Sequence, residues 1–277
     1  MSSGQPETAA SLPTGTLLGR VAEQAAVEPD GDRAEYWSLV GVLRRRGDRE
    51  SYDQAAVWCR SQDPLLRELG AHLLGQLGCL DAYPFAVESA PLLMALLDDP
   101  EIAVVSAALS GLGFLGQGDP ERLAPLATSP DAEVRFGLAF SLLTRDEPLA
   151  RETLIALSRD SDAEVRDWAT FGLGSQSDVD SEAIRLALAD RLDDDDRDTR
   201  GEAMVGLARR GDVRAEAAVI AALSEPDVDQ LTIEAAEELG RGPFLSRLEA
   251  LLETRPDSEP IRTIVDASRK SRGAAAE

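Results

Sequence analysis

Lysine, histidine and cysteine are almost missing from this chain of 277 residues, and each scarcity removes a class of chemistry. The one lysine is Lys270, so arginine carries nearly all the positive charge, a bias of a GC-rich genome more than of structural need. The one histidine, His72, is followed by Leu73 and has no nameable partner, so no Ser-His-Asp arrangement is built around it. It falls on an outward helical position and reads as a surface residue. The two cysteines, Cys59 and Cys79, lack zinc spacing and sit in apolar helical contexts, as free thiols of a reducing compartment do. No apolar run approaches the roughly 20 residues that a membrane span needs. The first residues, MSSGQPETAASLPTGT, have neither a basic start nor a long apolar stretch, so the reading is a disordered lead-in and a soluble, cytoplasmic protein. Cations are outnumbered too, with 28 Lys and Arg against 51 Asp and Glu and a formal net charge of -23. A polyanion repels phosphate backbones, which argues against nucleic-acid binding. The basic clusters Arg44-Arg45-Arg46 with Arg49, and Arg269-Lys270 with Arg272, read as solvated helix ends.

What the chain does have is a repeated phrase. Its plainest copies are Asp131-Ala132-Glu133-Val134-Arg135 and Asp162-Ala163-Glu164-Val165-Arg166. Six helix openers (Leu66, Val104, Val134, Val165, Thr199 and Leu231) are each followed by small or apolar residues four and five positions on. A Leu-Gly-like pair closes each copy, at Leu74-Gly75, Leu112-Gly113, Leu142-Leu143, Leu173-Gly174, Leu207-Ala208 and Leu239-Gly240. The closing leucines are spaced by 38, 30, 31, 34 and 32 residues. Such a period predicts stacked helix pairs in which each unit buries its apolar stripe against its neighbours. Positions 0, 4 and 8 share one helical face, and the small residues let helices approach closely. The expected organisation is a lead-in over 1–31, a helical array with capping helices over 32–254, and a terminal helix with a flexible tail over 255–277. Ala34 to Arg46, with Trp37, Val40 and Leu43 at helical spacing, reads as the cap of the open end. Pro91 is expected to kink a helix or to start one.

The pattern Asp-x-x-Val-Arg, small residues, then Leu-Gly resembles the HEAT repeat family, and the short period resembles its phycobiliprotein-lyase type. The resemblance spans about Asp48 to Gly240. It implies an all-α solenoid of stacked antiparallel helix pairs, wound as a right-handed superhelical array, with second helices lining a concave face. Aromatic signatures of tetratricopeptide units and the Thr-Pro-Leu-His of ankyrin units are absent. Within the HEAT-like group, deoxyhypusine hydroxylases need several His-Glu motifs, which a lone His72 cannot supply. Alkylpurine DNA glycosylases need a basic groove, and the charge here has the wrong sign. Phycobilin lyase relatives act on a client-bound tetrapyrrole, and nothing in the chain selects a bilin.

Two residue rows follow the repeat. Arg67, Arg135, Arg166 and Arg200 come after the openers, while acids such as Asp131 and Asp162 sit in the turns; the row is expected to stack one unit on the next. The run Asp193-Asp194-Asp195-Asp196 lacks the alternate ligands, central Gly and distal Glu of a calcium loop. One of its acids is expected to cap a helix and the rest to be solvated. The functional lead is a set of aromatics in the middle units: Phe114, Phe136, Phe140, Trp168 and Phe171, with Glu68, Glu202 and Glu237 as an acidic rim. Two readings stand, anchors in a groove or fillers of a core rich in Ala and Leu. The expectation is a non-enzymatic scaffold that binds a protein or peptide, a basic one favoured, with no cofactor, metal, nucleic acid or membrane. The alternatives are a lyase-like accessory enzyme acting on a client-bound cofactor and an acidic mimic of nucleic acid.

Overall fold

A computed structural model of the protein describes residues 9–25, 34–225, 227–239 and 244–274. Among these residues the chain is all-helical, with sixteen α-helices and no strand. Contacts divide it into two compact units, residues 1–141 and 142–277. The first holds α1 (Thr14–Ala25), α2 (Ala34–Arg46), α3 (Arg49–Trp58), α4 (Pro64–Gln76), α5 (Ala86–Leu96), α6 (Ile102–Leu115), α7 (Pro120–Leu123) and α8 (Ala132–Leu142). The second holds α9 (Pro148–Leu157), α10 (Ala163–Phe171), α11 (Glu182–Ala189), α12 (Arg197–Arg209), α13 (Ala215–Leu223), α14 (Gln230–Leu239), α15 (Leu245–Thr254) and α16 (Glu259–Ala274).

Helix starts are written locally. Asp48, Asp63, Asp119, Asp162 and Asp196 each accept a backbone N–H of the first turn they precede. Proline follows the cap at Pro64 and Pro120, where its missing N–H is not needed. The repeat then sets the packing. Every closing leucine of the six copies is buried, as are the small residues before them, including Ala71, Ala108, Ala139, Ala169, Ala203 and Ala235 at 0–1% exposure. Glycine is required where helices meet closely. A Cβ on Gly206 would stand 2.6 Å from the Cα of Gly174, and one on Gly70 would stand 2.8 Å from the carbonyl oxygen of Ala55. Gly240, the end of the sixth copy, lies outside the described residues, as does the tail beyond Ala274.

Three expectations need correction: the disordered lead-in, the solvated end at Arg44-Arg45-Arg46 and the inward place of Trp37. The lead-in contains α1, whose Leu17 and Val21 are fully buried, and Leu12 just before it is buried as well. Arg46 fastens this segment: it donates to Thr14 Oγ1 (3.0 Å) and to the carbonyls of Ala10 (2.9 Å) and Leu12 (2.6 Å), so it is not a merely solvated helix end. Asp48 accepts from Thr14 Oγ1 at 2.6 Å while it caps α3. The amphipathic spacing of Leu17, Leu18 and Val21 was the available signal, masked by the polar residues around it. Trp37 is 58% exposed and meets Tyr36 edge-on, and it is Tyr36 that turns inward. Pro91 sits inside α5, which starts at Ala86. At the other end Arg269 pairs with Glu249 at 2.9 Å, while the side chains of Lys270 and Arg272 lie outside those described.

Candidate functional site

The arginine row forms a repeated staple. Each arginine reaches back to the carbonyls five or six residues before it, as Arg67 does to Ser61 and Gln62, Arg166 to Asp160 and Ser161, and Arg200 to Asp194 and Asp195. Arg135, buried at 9% exposure, donates to the Ser129 carbonyl in the same way. Arg67 and Arg166 also bridge to the next turn. Arg67 grips Asp99 through two bonds of 2.6 and 2.9 Å, and Arg166 grips Asp194 at 3.0 and 2.8 Å. The bidentate geometry is the strong form of a charged hydrogen bond. For these two arginines the stacking acids are Asp99 and Asp194. Asp131 and Asp162 instead accept the backbone N–H groups of Glu133 and Val165 at helix starts. The aspartate run is corrected at the same point: Asp196 caps α12, but Asp194 is buried and also receives Arg191. Among the described residues no group of three or more His, Cys, Asp and Glu could hold a metal ion.

The aromatic candidates form two edge-on pairs, one in each unit. In the first unit Phe114 and Phe140 meet with ring centroids 5.0 Å apart. A Cβ on Gly113 would run into the Phe140 ring at 2.7 Å, so Phe140 fills the space that glycine leaves, while Phe114 is 40% exposed. Phe136 is half-buried. In the second unit Trp168 and Phe171, both half-buried on α10, have centroids 5.9 Å apart. These rings are neither free anchors nor sealed core: the first pair lies against the backbone at Gly113, and both pairs keep part of their surface in water. Of the acids, Glu68 is half-buried with His72 Nε2 at 3.7 Å, and Glu237 is exposed. Glu202 departs from the expected rim, since it is 8% exposed and accepts a hydrogen bond from Ser175 Oγ at 2.7 Å.

That contact marks the best-built site in the molecule. After Phe171, α10 widens into a π-helical turn over Gly172–Gln176. Such turns are rare, and many occur at functional sites. The turn is held by Arg210, whose guanidinium donates to five carbonyls, those of Leu173, Gly174, Ser177, Val179 and Gly206. Arg209 adds a bond to the Ser175 carbonyl (2.8 Å) and pairs with Glu234 of α14 at 2.8 Å. Ser175 is thereby aimed at Glu202. Next to it is Asp167, one turn before Phe171, with its Oδ1 sealed from solvent and given no hydrogen-bond donor. Burial, followed by the charge of Glu202, pushes the Asp167 carboxyl up to about 7. Burial also raises Glu202, against the pull of the Ser175 hydroxyl, with Glu234 raising it further. Acids shifted in this direction cluster at functional sites. Ser175, Arg209 and Arg210 were not singled out by the sequence. Only the unusual Gly-Leu-Gly-Ser after Phe171 hinted at irregular backbone.

No family model matches the chain. A curated relative, Protein YibA of Escherichia coli strain K12, is 27% identical over 241 residues, covering 84% of this chain and 85% of its own length. The X-ray structure of YibA superposes with a TM-score of 0.69 at 24% identity, covering 97% of this chain and 98% of that one. The complex of CpcE and CpcF of phycocyanin lyase from Nostoc sp. PCC7120 gives 0.50 at 16% identity, covering 97% and 99%. At these identities the likeness concerns the fold. The chain has the all-α, HEAT-like helical repeat fold. Among the described residues no helix is long and apolar enough to cross a membrane.

Proposed function

We propose that this chain is a non-enzymatic repeat scaffold that binds a basic protein or peptide segment along its second helices. The observation that carries this reading is the α10–α12 face of the second unit. There Trp168 and Phe171 present partly exposed rings, and the same two helices carry the exposed acids Glu164 and Asp198. An arginine or lysine side chain suits such a place twice over, by cation–π contact with the indole and by charge with the exposed acids. The overall charge of -23 favours the encounter with a cationic partner. A protein client is also in keeping with the fold, since one HEAT-like neighbour was solved as the complex of CpcE and CpcF.

The test is fluorescence polarisation with a short labelled arginine-rich peptide and its glutamine-substituted counterpart. The cationic peptide is expected to bind more tightly, with affinity falling as salt rises. A Trp168→Ala, Phe171→Ala variant that keeps its helical circular dichroism should lose about tenfold in affinity, the scale of an aromatic anchor. Equal binding of the two peptides, or full affinity in the folded variant, would remove this reading.

A further inference from the structure

Sealing a carboxylate oxygen from water near a second buried acid is costly unless a proton intervenes, and the second unit does this with Oδ1 of the half-buried Asp167 and the buried Glu202, whose charge acts on it. The backbone leaves the pair little room. The π-helical turn lies directly on α12: a Cβ on Gly174 would stand 2.9 Å from the carbonyl oxygen of Glu202 and 3.2 Å from the Cα of Gly206. Glu202 is 8% exposed with a single donor, the Ser175 hydroxyl at 2.7 Å, while Asp167 Oδ1 has none. The surrounding charges make matters worse. Asp196, Asp198 and Glu202 of α12 and Glu164 of α10 itself all act against ionisation of Asp167. Glu234 of α14 and Asp198 act against that of Glu202. The nearby cation, Arg209, favours the charged form of Glu202, but its guanidinium is engaged by Glu234 and the Ser175 carbonyl. Helices α9, α11 and α13 add no group to the charges that weigh most on either carboxyl.

We infer that a proton held on Asp167, with the Ser175–Glu202 bond beside it, acts as a clasp that keeps α10 and its π-helical turn seated on α12, and that the seat loosens when the proton leaves. The sign follows from linkage. Asp167 is raised from 3.8 to about 7, so the clasp is fully closed below the ordinary carboxylate value and weakens as the pH climbs towards about 7. Above that the carboxyl is ionised in the closed and open states alike, and no further loosening follows. The clasp lies on the face proposed to bind a partner, yet it is a property of the free protein and survives if peptide binding fails.

Hydrogen–deuterium exchange of the full chain tests it, followed in peptides across 163–176 and corrected for the chemical exchange rate. Protection there is expected to fall at least about tenfold between roughly pH 5 and 7 and to level off above. Asp167→Asn should hold it constant across that range. Glu202→Gln, which removes the neighbouring charge, should move the levelling point to lower pH, and this reading stands even if Asp167→Asn does not fold. Flat protection in the wild-type chain, or a levelling point unmoved by Glu202→Gln, overturns the inference.

Discussion

Single side chains decide more here than the repetitive sequence suggests, because many of the arginines are built into the backbone. Arg210 is the extreme case: it serves five carbonyls, four in the π-helical turn and the loop after it and one, that of Gly206, in α12. A lysine offers a compact ammonium with three donors in place of a planar fork. Arg210→Lys is therefore expected to lower the stability of the chain by about 3 kcal/mol, read from urea denaturation. A full retention of the wild-type midpoint would show that water can take over those carbonyls. Asp194 is a second such residue, receiving Arg166 twice, Arg191, and the N–H of Asp196. Removing its charge strands two guanidinium groups, so Asp194→Asn should cost about 3 kcal/mol. Asp193→Asn next to it, exposed and outside the network, should change the urea midpoint by less than about 0.5 kcal/mol.

At the scale of elements, the helices themselves were legible in the sequence. The Asp caps, the proline that follows two of them, and the 0, 4, 8 spacing of apolar residues are local signals, and each second helix lies where its phrase stands. Two elements were hidden. The amphipathic α1 lies in a polar, glycine-containing segment whose low overall hydropathy conceals its stripe. Its Leu17 is fully buried, so Leu17→Ala should cost about 3 kcal/mol, measured by denaturation of the full chain. An unchanged midpoint would mean that α1 does not pack as described. The π-helical turn was hidden for a different reason. It is made by a contact with Arg210, more than thirty residues further on, which no local spacing records.

For the whole molecule, the acids fall into two populations with opposite effects on pH stability. Bonds from Arg67 hold Asp99 below the usual carboxylate range, and Arg214 does the same for Asp212. Their stabilising contribution is present above the ordinary value near 3.8 and is lost as the pH falls below it. Asp167 acts in reverse, since its contribution is present in acid and lost as the pH rises to about 7. Stability should therefore peak in weak acid, about pH 4 to 5, where self-repulsion of the acidic chain is also least. Urea midpoints across pH at low protein concentration check this, and the decline on the alkaline side should flatten in Asp167→Asn. A maximum at neutral pH in the wild-type chain would count against the two-population picture.

The sequence by itself determined the helices, the period and the buried face of each repeat, because these depend on residues a few positions apart. It also named the arginine row, which recurs at a fixed place in the phrase, and the aromatics of the middle units, though not how they pair. Only the tertiary structure decided which acids are ordinary and which are not. Asp131 and Asp194 look alike in the sequence, yet one caps a helix in water and the other is buried between arginines. Glu202 resembled a rim residue until the turn before it folded onto α12 and closed it off. A carboxyl's character is set by the groups around it in space, and those come from helices far away along the chain.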